Sequence, residues 1–181
     1  MGKTVEKIGD RLREWIAAQR IFFVSTAPLS EAGMVNCSPK GTDSLRVLDA
    51  HTVAYLDLTG SGVETIAHLR ENGRILIMLC AFDGPPKIVR LHGRGEVLEP
   101  GSLGFETLRA IFPETPGARA IIRVDVSRIS ESCGFAVPLY DHVGDRDALT
   151  RWAAQKGEAG VAEYRRQKNQ QSIDGLPGLD G

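Results

Sequence analysis

Six short segments rich in β-branched and aromatic residues, separated by turn-forming residues, most constrain how this 181-residue chain can fold. The segment 75–82 is almost continuously apolar, which predicts a strand buried on both faces. Gly93 and Gly95 predict a bend or a close backbone approach, because glycine otherwise weakens a strand. The first two segments resemble a hairpin and few helices intervene, so we predict a β-barrel rather than a doubly wound sheet. The six segments are 21–26, 34–38, 52–58, 75–82, 88–98 and 120–129.

Helical patterns surround these strands. Apolar residues at helical spacing predict an amphipathic N-terminal helix over about 4–19. A second helix is predicted over 63–72, with Gly73 as its C-terminal cap. Further helical segments are predicted at 102–112, 146–156 and 159–170.

The C-terminal tail, 172–179, has no periodicity. It nevertheless contains Ile173, Leu176 and Leu179, and solvated tails rarely need such residues. We therefore expect the tail to pack on a barrel, either that of its own chain or that of a partner. The length of the chain predicts a single domain, 1–181, with a C-terminal helical extension over about 145–181.

Charge and composition exclude several classes of function. The chain has 22 Lys and Arg against 23 Asp and Glu, which gives no general attraction to nucleic acid or acidic membranes. No stretch approaches the roughly 20 apolar residues of a membrane helix, and no signal peptide is evident, so we expect a cytoplasmic protein. Three cysteines without a CxxC pair, and four histidines without HxxxH spacing, predict neither a disulfide nor a metal site. Cys37 and Cys80 are expected in the core, and His68 alone among the histidines to reach a cofactor.

Two loops offer groups that bind anions. The loop 59–62 opens a helix, whose start presents free N–H groups and positive charge, while its glycines and hydroxyls suit a phosphate. Lys40, in the loop 36–41, would complete an anion site. Alternatively, Ser61 and Glu64 form a capping box that satisfies the helix start without a ligand. The sequence leaves both interpretations open.

The order of these segments resembles the pyridoxamine 5'-phosphate oxidase-like, FMN-binding split-barrel superfamily over about residues 10–130. The strand, loop and helix at 55–72 carry the resemblance best, together with the loop 38–41 and the strand containing 91–95. The resemblance implies a mainly β protein with peripheral helices, built as a six-stranded Greek-key split barrel. It also implies a homodimer with FMN in clefts between the subunits. The FMN-binding positions that it implies are Ser38, Lys40, Gly41, Asp57, Thr59, Ser61, Gly62 and Thr65.

Two departures from the family pattern shape the functional expectation. Ser61-Gly62-Val63 stands where pyridoxamine phosphate oxidases have Ser-Arg-Lys, and the tail lacks their Arg-x-His. We therefore do not expect pyridoxamine phosphate oxidation, and we predict that Lys40 binds the FMN phosphate together with the Ser61 loop. The leading hypothesis is an FMN-dependent oxidoreductase of unknown substrate, without an identifiable catalytic residue. The alternatives are a flavin-binding protein without turnover, a haem- or deazaflavin-binding barrel, and a dimeric barrel with an empty cleft.

Overall fold

A computed structural model describes residues 2–179; Met1, Asp180 and Gly181, at the ends of the predicted domain, lie outside the described residues. Within 2–179 the chain forms eight strands and four helices. The elements are β1 (Lys3–Val5), α1 (Asp10–Ala18), β2 (Phe22–Thr26), β3 (Asn36–Lys40), β4 (Leu45–Val47), β5 (Thr52–Leu58), α2 (Glu64–Asn72), β6 (Arg74–Cys80), β7 (Ile88–Leu98), α3 (Leu103–Arg109), β8 (Ala118–Ser132) and α4 (Ala148–Lys168).

The strands form one antiparallel sheet in the order β3-β2-β6-β7-β8-β5-β4, with β1 paired to β8. The 15-residue β8 organises the sheet, because it pairs with β7, β5 and β1. The prediction of a mainly β fold with peripheral helices is confirmed, but the count of six strands is wrong. The two additional strands, β1 and β4, have three residues each. Segments this short carry too little alternation to be recognised from sequence.

Two apolar clusters explain why β5 is buried on both faces. Val53 and Tyr55 point into the main core, which the curled sheet shares with α1 and α2. Ala54 and Leu56 point the other way, into a smaller cluster beneath α3. In β6 the pattern differs, because alternate residues such as Leu76 are only half-buried. The predicted burial of this segment on both faces is therefore wrong for its outer face.

The helices agree with the sequence patterns except at their ends. The N-terminal helix begins at Asp10 rather than near residue 4, because Lys3–Val5 adds a strand to β8. The helix α2 ends at Gly73, whose left-handed φ of 69° confirms the predicted cap. The last helix is interrupted at Gly157, where φ is 67° and ψ is 170°, so it consists of two helical segments, as predicted.

The two glycines of β7 stand where other chain groups approach closely. A Cβ on Gly93 would lie 2.2 Å from the backbone oxygen of Asp125, next to a register shift between β7 and β8. A Cβ on Gly95 would lie 2.8 Å from Leu69 Cδ2 of α2. Both approaches require glycine, which confirms the prediction of a close backbone approach.

The tail folds back onto the barrel of its own chain, which confirms that it packs on a barrel. The Leu179 amide donates to the Asn169 carbonyl at 2.8 Å, and the Leu179 side chain joins the main core. Asp174 Oδ2 accepts from the Met34 amide at 2.9 Å, which ties the tail to the turn between β2 and β3. Within residues 2–179, every helix is too short or too polar to span a lipid bilayer.

Candidate functional site

The eight predicted binding residues gather around the ends of β3 and β5 and the start of α2. Ser38 and Lys40 lie in β3, and Asp57 lies in β5. The other five lie in the segments that follow these strands. Gly41 follows β3, Thr59, Ser61 and Gly62 form the loop between β5 and α2, and Thr65 lies in the first turn of α2.

A buried ion-pair cluster centres on Asp57, which is completely shielded from solvent. Lys40 Nζ lies 2.9 Å from Asp57 Oδ1, and Arg119 Nε lies 2.7 Å from Asp57 Oδ2. Burial favours the neutral acid, but the charges of Lys40 and Arg119 outweigh it and lower the pKa of Asp57 below its ordinary value. The cluster therefore holds two cations and one anion, and it carries a net positive charge.

The loop after β5 is held by Arg119 of β8 and by residues at the end of α4. Arg119 Nη1 donates to the Gly62 carbonyl at 2.8 Å and to Asn169 Oδ1 at 2.9 Å. Asn169 Nδ2 donates in turn to the Gly60 carbonyl at 3.0 Å. Arg165 Nε donates to Thr59 Oγ1 at 2.9 Å. The Gly62 carbonyl is therefore fixed by β8, and the Gly60 carbonyl by the residue that ends α4.

The start of α2 has no side-chain cap. The helix begins at Glu64 with Val63 as its N-cap, and no side chain accepts a hydrogen bond from the first turn. The predicted capping box between Ser61 and Glu64 is therefore wrong. Glu64 Oε1 instead accepts from the Ile173 amide at 3.3 Å, because the tail offers it a competing donor. Ser61 is exposed, and its side chain makes no hydrogen bond within residues 2–179.

A second polar network runs beneath the helix. Asn36 Nδ2 donates to Thr65 Oγ1 at 3.0 Å and to Thr26 Oγ1 at 3.2 Å, and Ser38 Oγ donates to Asn36 Oδ1 at 3.0 Å. Thr26 Oγ1 is also 2.9 Å from His68 Nδ1. Ser38 and Thr65 are thus brought together through Asn36, whereas no hydrogen bond links either of them to Lys40 in the described chain.

Two sealed polar atoms complete the surroundings. Within residues 2–179, the Tyr55 hydroxyl and His68 Nε2 are buried without a hydrogen-bond partner. Burial raises the pKa of Tyr55 well above its ordinary value, and the charge of Asp57 adds to the shift, so the hydroxyl stays neutral. Burial lowers the pKa of His68, although Asp174, 4.0 Å away, opposes that shift. His68 of α2 is fully buried, with Nδ1 2.9 Å from Thr26 Oγ1.

Three residues of the site were missed by the sequence interpretation. Arg119 stands in the apolar run 118–122, and an arginine in a buried strand must be paired, which is a usable signal. Arg165 and Asn169 are four residues apart and so share one face at the end of α4. Nothing in their spacing indicates that this face meets the loop at 59–62.

The cysteines divide between core and surface. Cys80 is buried, as predicted, and burial raises the pKa of its thiol. Cys37 is exposed, so its predicted place in the core is wrong. It alternates in β3 with the half-buried Asn36 and Ser38, and therefore points away from the core. The described part of the chain brings no three His, Cys, Asp or Glu side chains into a group that could hold a metal ion.

Known proteins share both the sequence and the fold. The profile of the family described as "Pyridoxamine 5'-phosphate oxidase" matches residues 8–133. The Aspergillus flavus protein named "Pyridoxamine 5'-phosphate oxidase family protein ustO" is 41% identical over 194 residues, covering 96% of this chain and 76% of its own.

Two solved structures resemble the fold alone. A variant of HupZ from Group A Streptococcus has a TM-score of 0.53 at 22% identity, covering 69% of this chain and 99% of its own. A FAD-binding protein from Mesorhizobium loti has a TM-score of 0.50 at 16% identity, covering 72% and 96%. The family profile spans more than half of the chain, and the fungal relative matches almost all of it. The chain therefore belongs to the pyridoxamine 5'-phosphate oxidase family.

Proposed function

We propose that this protein binds FMN and acts as an FMN-dependent oxidoreductase on a substrate that is not yet identified. Family membership supports a flavin, and the structural relative from Mesorhizobium loti is by its name a FAD-binding protein. The observation that carries the proposal is the positively charged cluster of Lys40, Asp57 and Arg119. Asp57 stands two residues before the loop 59–62, which leads into the uncapped start of α2. Such a combination suits a phosphate.

The residues present fit a flavin phosphate. Lys40 would supply a charge, and its side chain keeps 20% of its surface exposed despite the pair with Asp57. The start of α2 would supply backbone N–H groups, and the exposed Ser61 would supply a hydroxyl. When bound, FMN supplies the hydride or electron transfer at its isoalloxazine ring, while the protein holds and tunes that ring.

We also propose that the protein works as a homodimer with the flavin cleft between subunits. The turn between β2 and β3 exposes Leu29, Met34 and Val35, and the tail exposes Ile173 beside them. Exposed apolar residues that occur together, rather than singly, are typical of surfaces that another protein covers. This patch supports a second copy of the chain as the covering partner.

A substitution at Lys40 tests the phosphate site. Lys40→Ala removes one charge-assisted interaction, worth roughly 1.5–3 kcal/mol, so FMN should bind about 10- to 150-fold more weakly. Riboflavin has the same ring without the phosphate, and its affinity should be unchanged. The matched control is Lys87→Ala, because Lys87 forms a comparable ion pair with Glu131 at 3.0 Å.

Titration of both flavins by fluorescence quenching reports the two affinities. Equal losses of FMN and riboflavin would show that the variant damages the ring site or the fold. Unchanged FMN affinity would show that the phosphate binds elsewhere. The visible spectrum of the purified protein tests the identity of the cofactor, because a Soret band would indicate haem rather than flavin. Bleaching by NADH or NADPH under nitrogen, with reoxidation in air, distinguishes an enzyme from a passive binder.

A further inference from the structure

Two adjoining cavities lie between α4 and the start of β8. The smaller has a volume of about 200 Å³ and is lined by Arg119, Arg165 and Arg166, with Glu99 at its side. The larger has a volume of about 630 Å³, and its apolar lining includes Ala118, Ala153 and Val161. Both are lined by Pro100 and Arg165, so they are neighbours, and we name them together the α4 cavity. Its larger part alone falls within the roughly 300–1,000 Å³ of small-molecule sites.

Among residues 2–179, positive charge at the α4 cavity exceeds the negative charge around it. Arg165 has no carboxylate within ion-pair distance in the described chain, and all its hydrogen bonds go to neutral oxygens, of Thr59, Gly117 and Ala118. The buried Arg119 shares its one carboxylate, Asp57, with Lys40. Arg166 pairs with Glu163 and Glu99 pairs with Arg70. Glu158 in the larger part offsets one positive charge, which leaves the charge of Arg165 or of the Lys40–Asp57–Arg119 cluster in excess among the described residues.

Donor groups remain free at the same place. Arg119 donates through Nε and Nη1, and Arg165 through Nε and Nη2, which leaves Arg119 Nη2 and Arg165 Nη1 without acceptors in residues 2–179. Neither is among the sealed atoms, which are the Tyr55 hydroxyl and His68 Nε2. Arg119 is only 4% exposed, and it lines the smaller part of the cavity. Burial and the charge of Arg119 both lower the pKa of Arg165, and an anion would relieve both costs.

We propose that the α4 cavity binds a small organic anion, with a carboxylate or phosphate head at Arg119 and Arg165 and an apolar body along α4. Guanidinium groups suit such heads, because their planar N–H donors match carboxylate and phosphate oxygens. The apolar part of the cavity excludes a purely inorganic ion as its full occupant. Glu158 lines the larger part and disfavours a second negative charge there, which sets the polarity of the ligand.

This site shares Arg119 with the cluster beside the proposed flavin site, but the direct ligands of the two sites differ. Lys40 and Ser61, which would hold the flavin phosphate, do not line the α4 cavity. The loop 59–62 lies between Lys40 and the α4 cavity, since Arg165 donates a hydrogen bond to Thr59 from the α4 side of the loop. The inference therefore does not depend on whether FMN binds.

Titration calorimetry with octyl phosphate, octanoate and octanol tests the site. The full-length protein, saturated with FMN, should bind octyl phosphate or octanoate. The anion that binds more tightly identifies the charged head group that the site prefers. Octanol lacks the charge and should not bind measurably. Absence of binding by both anions, or equal binding of octanol, would overturn the proposal.

Two variants locate the ligand without disturbing the buried cluster. Arg166→Glu places a negative charge at the rim of the α4 cavity and should weaken the binding of octyl phosphate by about tenfold or more. The matched control is Arg151→Glu, because Arg151 also lies on α4 and pairs with an acidic neighbour, Asp147, but does not line the cavity. Ala154→Trp should fill the larger part of the α4 cavity and also weaken the binding of the anion. Equal effects of the variants at 166 and 151 would refute the location.

A competition experiment separates this proposal from the flavin proposal. If FMN displaces octyl phosphate, and Arg166→Glu also weakens FMN, then the arginines hold the flavin phosphate and there is no second site. Simultaneous binding of the two ligands, with equal reciprocal effects on their affinities, supports two sites. If FMN does not bind at all while octyl phosphate does, the flavin proposal fails and the α4 cavity stands.

Discussion

Replacement of Asp57 by asparagine measures how far the buried cluster stabilises the fold. The variant keeps the volume of the side chain but removes its charge, leaving Lys40 and the 4%-exposed Arg119 without a counterion. Breaking a buried ion pair by removing one partner costs about 3–5 kcal/mol. For a chain of this size, each kcal/mol lowers Tm by about 2–4 °C, so we expect Tm to fall by about 6–20 °C at pH 7.

The pH dependence of that loss identifies its electrostatic origin. The pKa of Asp57 is lower in the folded protein than its ordinary value of 3.8. Its stabilisation is therefore complete well above that value and is lost as the pH falls through the folded pKa. The difference in Tm between the wild type and Asp57→Asn should stay constant from pH 7 to about pH 5 and shrink below about pH 4.

Thermal unfolding followed by circular dichroism, with urea unfolding as a second measure, provides the assay. Asp125→Asn is the matched control, since Asp125 pairs with Arg123 at 2.8 Å but is 63% exposed. Exposed pairs contribute about 0–1 kcal/mol, so this control should change Tm little. The reasoning is refuted if Asp57→Asn costs no more than the control, or if its cost is the same at pH 3 as at pH 7.

Two further predictions concern the tail and the assembly. A Cβ at Gly178 would lie 2.3 Å from the Asn169 carbonyl oxygen and 2.7 Å from Val63 Cγ1. Gly178→Ala should therefore lower the free energy of unfolding, measured with urea, by about 1–3 kcal/mol. Gly60→Ala, where a Cβ meets nothing within 4 Å, should cost less, and equal costs would contradict this account of the tail. Sedimentation equilibrium at micromolar concentration with FMN should give a dimer, and a monomer alone would reject the proposed assembly.

Periodicity and turn chemistry predicted the regular part of the fold. Strands such as β5, at 52–58, and the cap at Gly73 follow from local patterns that the tertiary structure does not override. The ends of elements were less predictable. The helix α1 starts later than its pattern suggests because β8 extends far enough to pair with residues 3–5. That pairing depends on a partner more than 120 residues away, and no local signal specifies it.

Two of the three residues in the buried cluster, Lys40 and Asp57, were predicted from the sequence, and the third, Arg119, was not. Lys40 and Asp57 were named as separate phosphate ligands, and the structure places their charged groups 2.9 Å apart. A carboxylate would repel a phosphate, and the pair with Arg119 gives Asp57 the role of a counterion, in which it need not contact the phosphate. This role could not be read from the sequence because Arg119 lies 62 residues from Asp57. Only the pairing of β5 with β8 brings the two side chains together.

The C-terminal segment and the loop 59–62 form one structural unit, and this coupling bears on both proposed sites. Arg165 and Asn169 hold the loop from one side, and Arg119 connects that contact to Asp57 and Lys40. A movement of α4 would therefore shift the loop carbonyls and change how firmly Asp57 holds Lys40. Because a ligand in the α4 cavity would contact Arg119 and Arg165 directly, its binding free energy would be coupled to that of an anion at Lys40. By linkage the effect must be reciprocal: whatever factor octyl phosphate applies to the affinity for FMN, FMN must apply to the affinity for octyl phosphate.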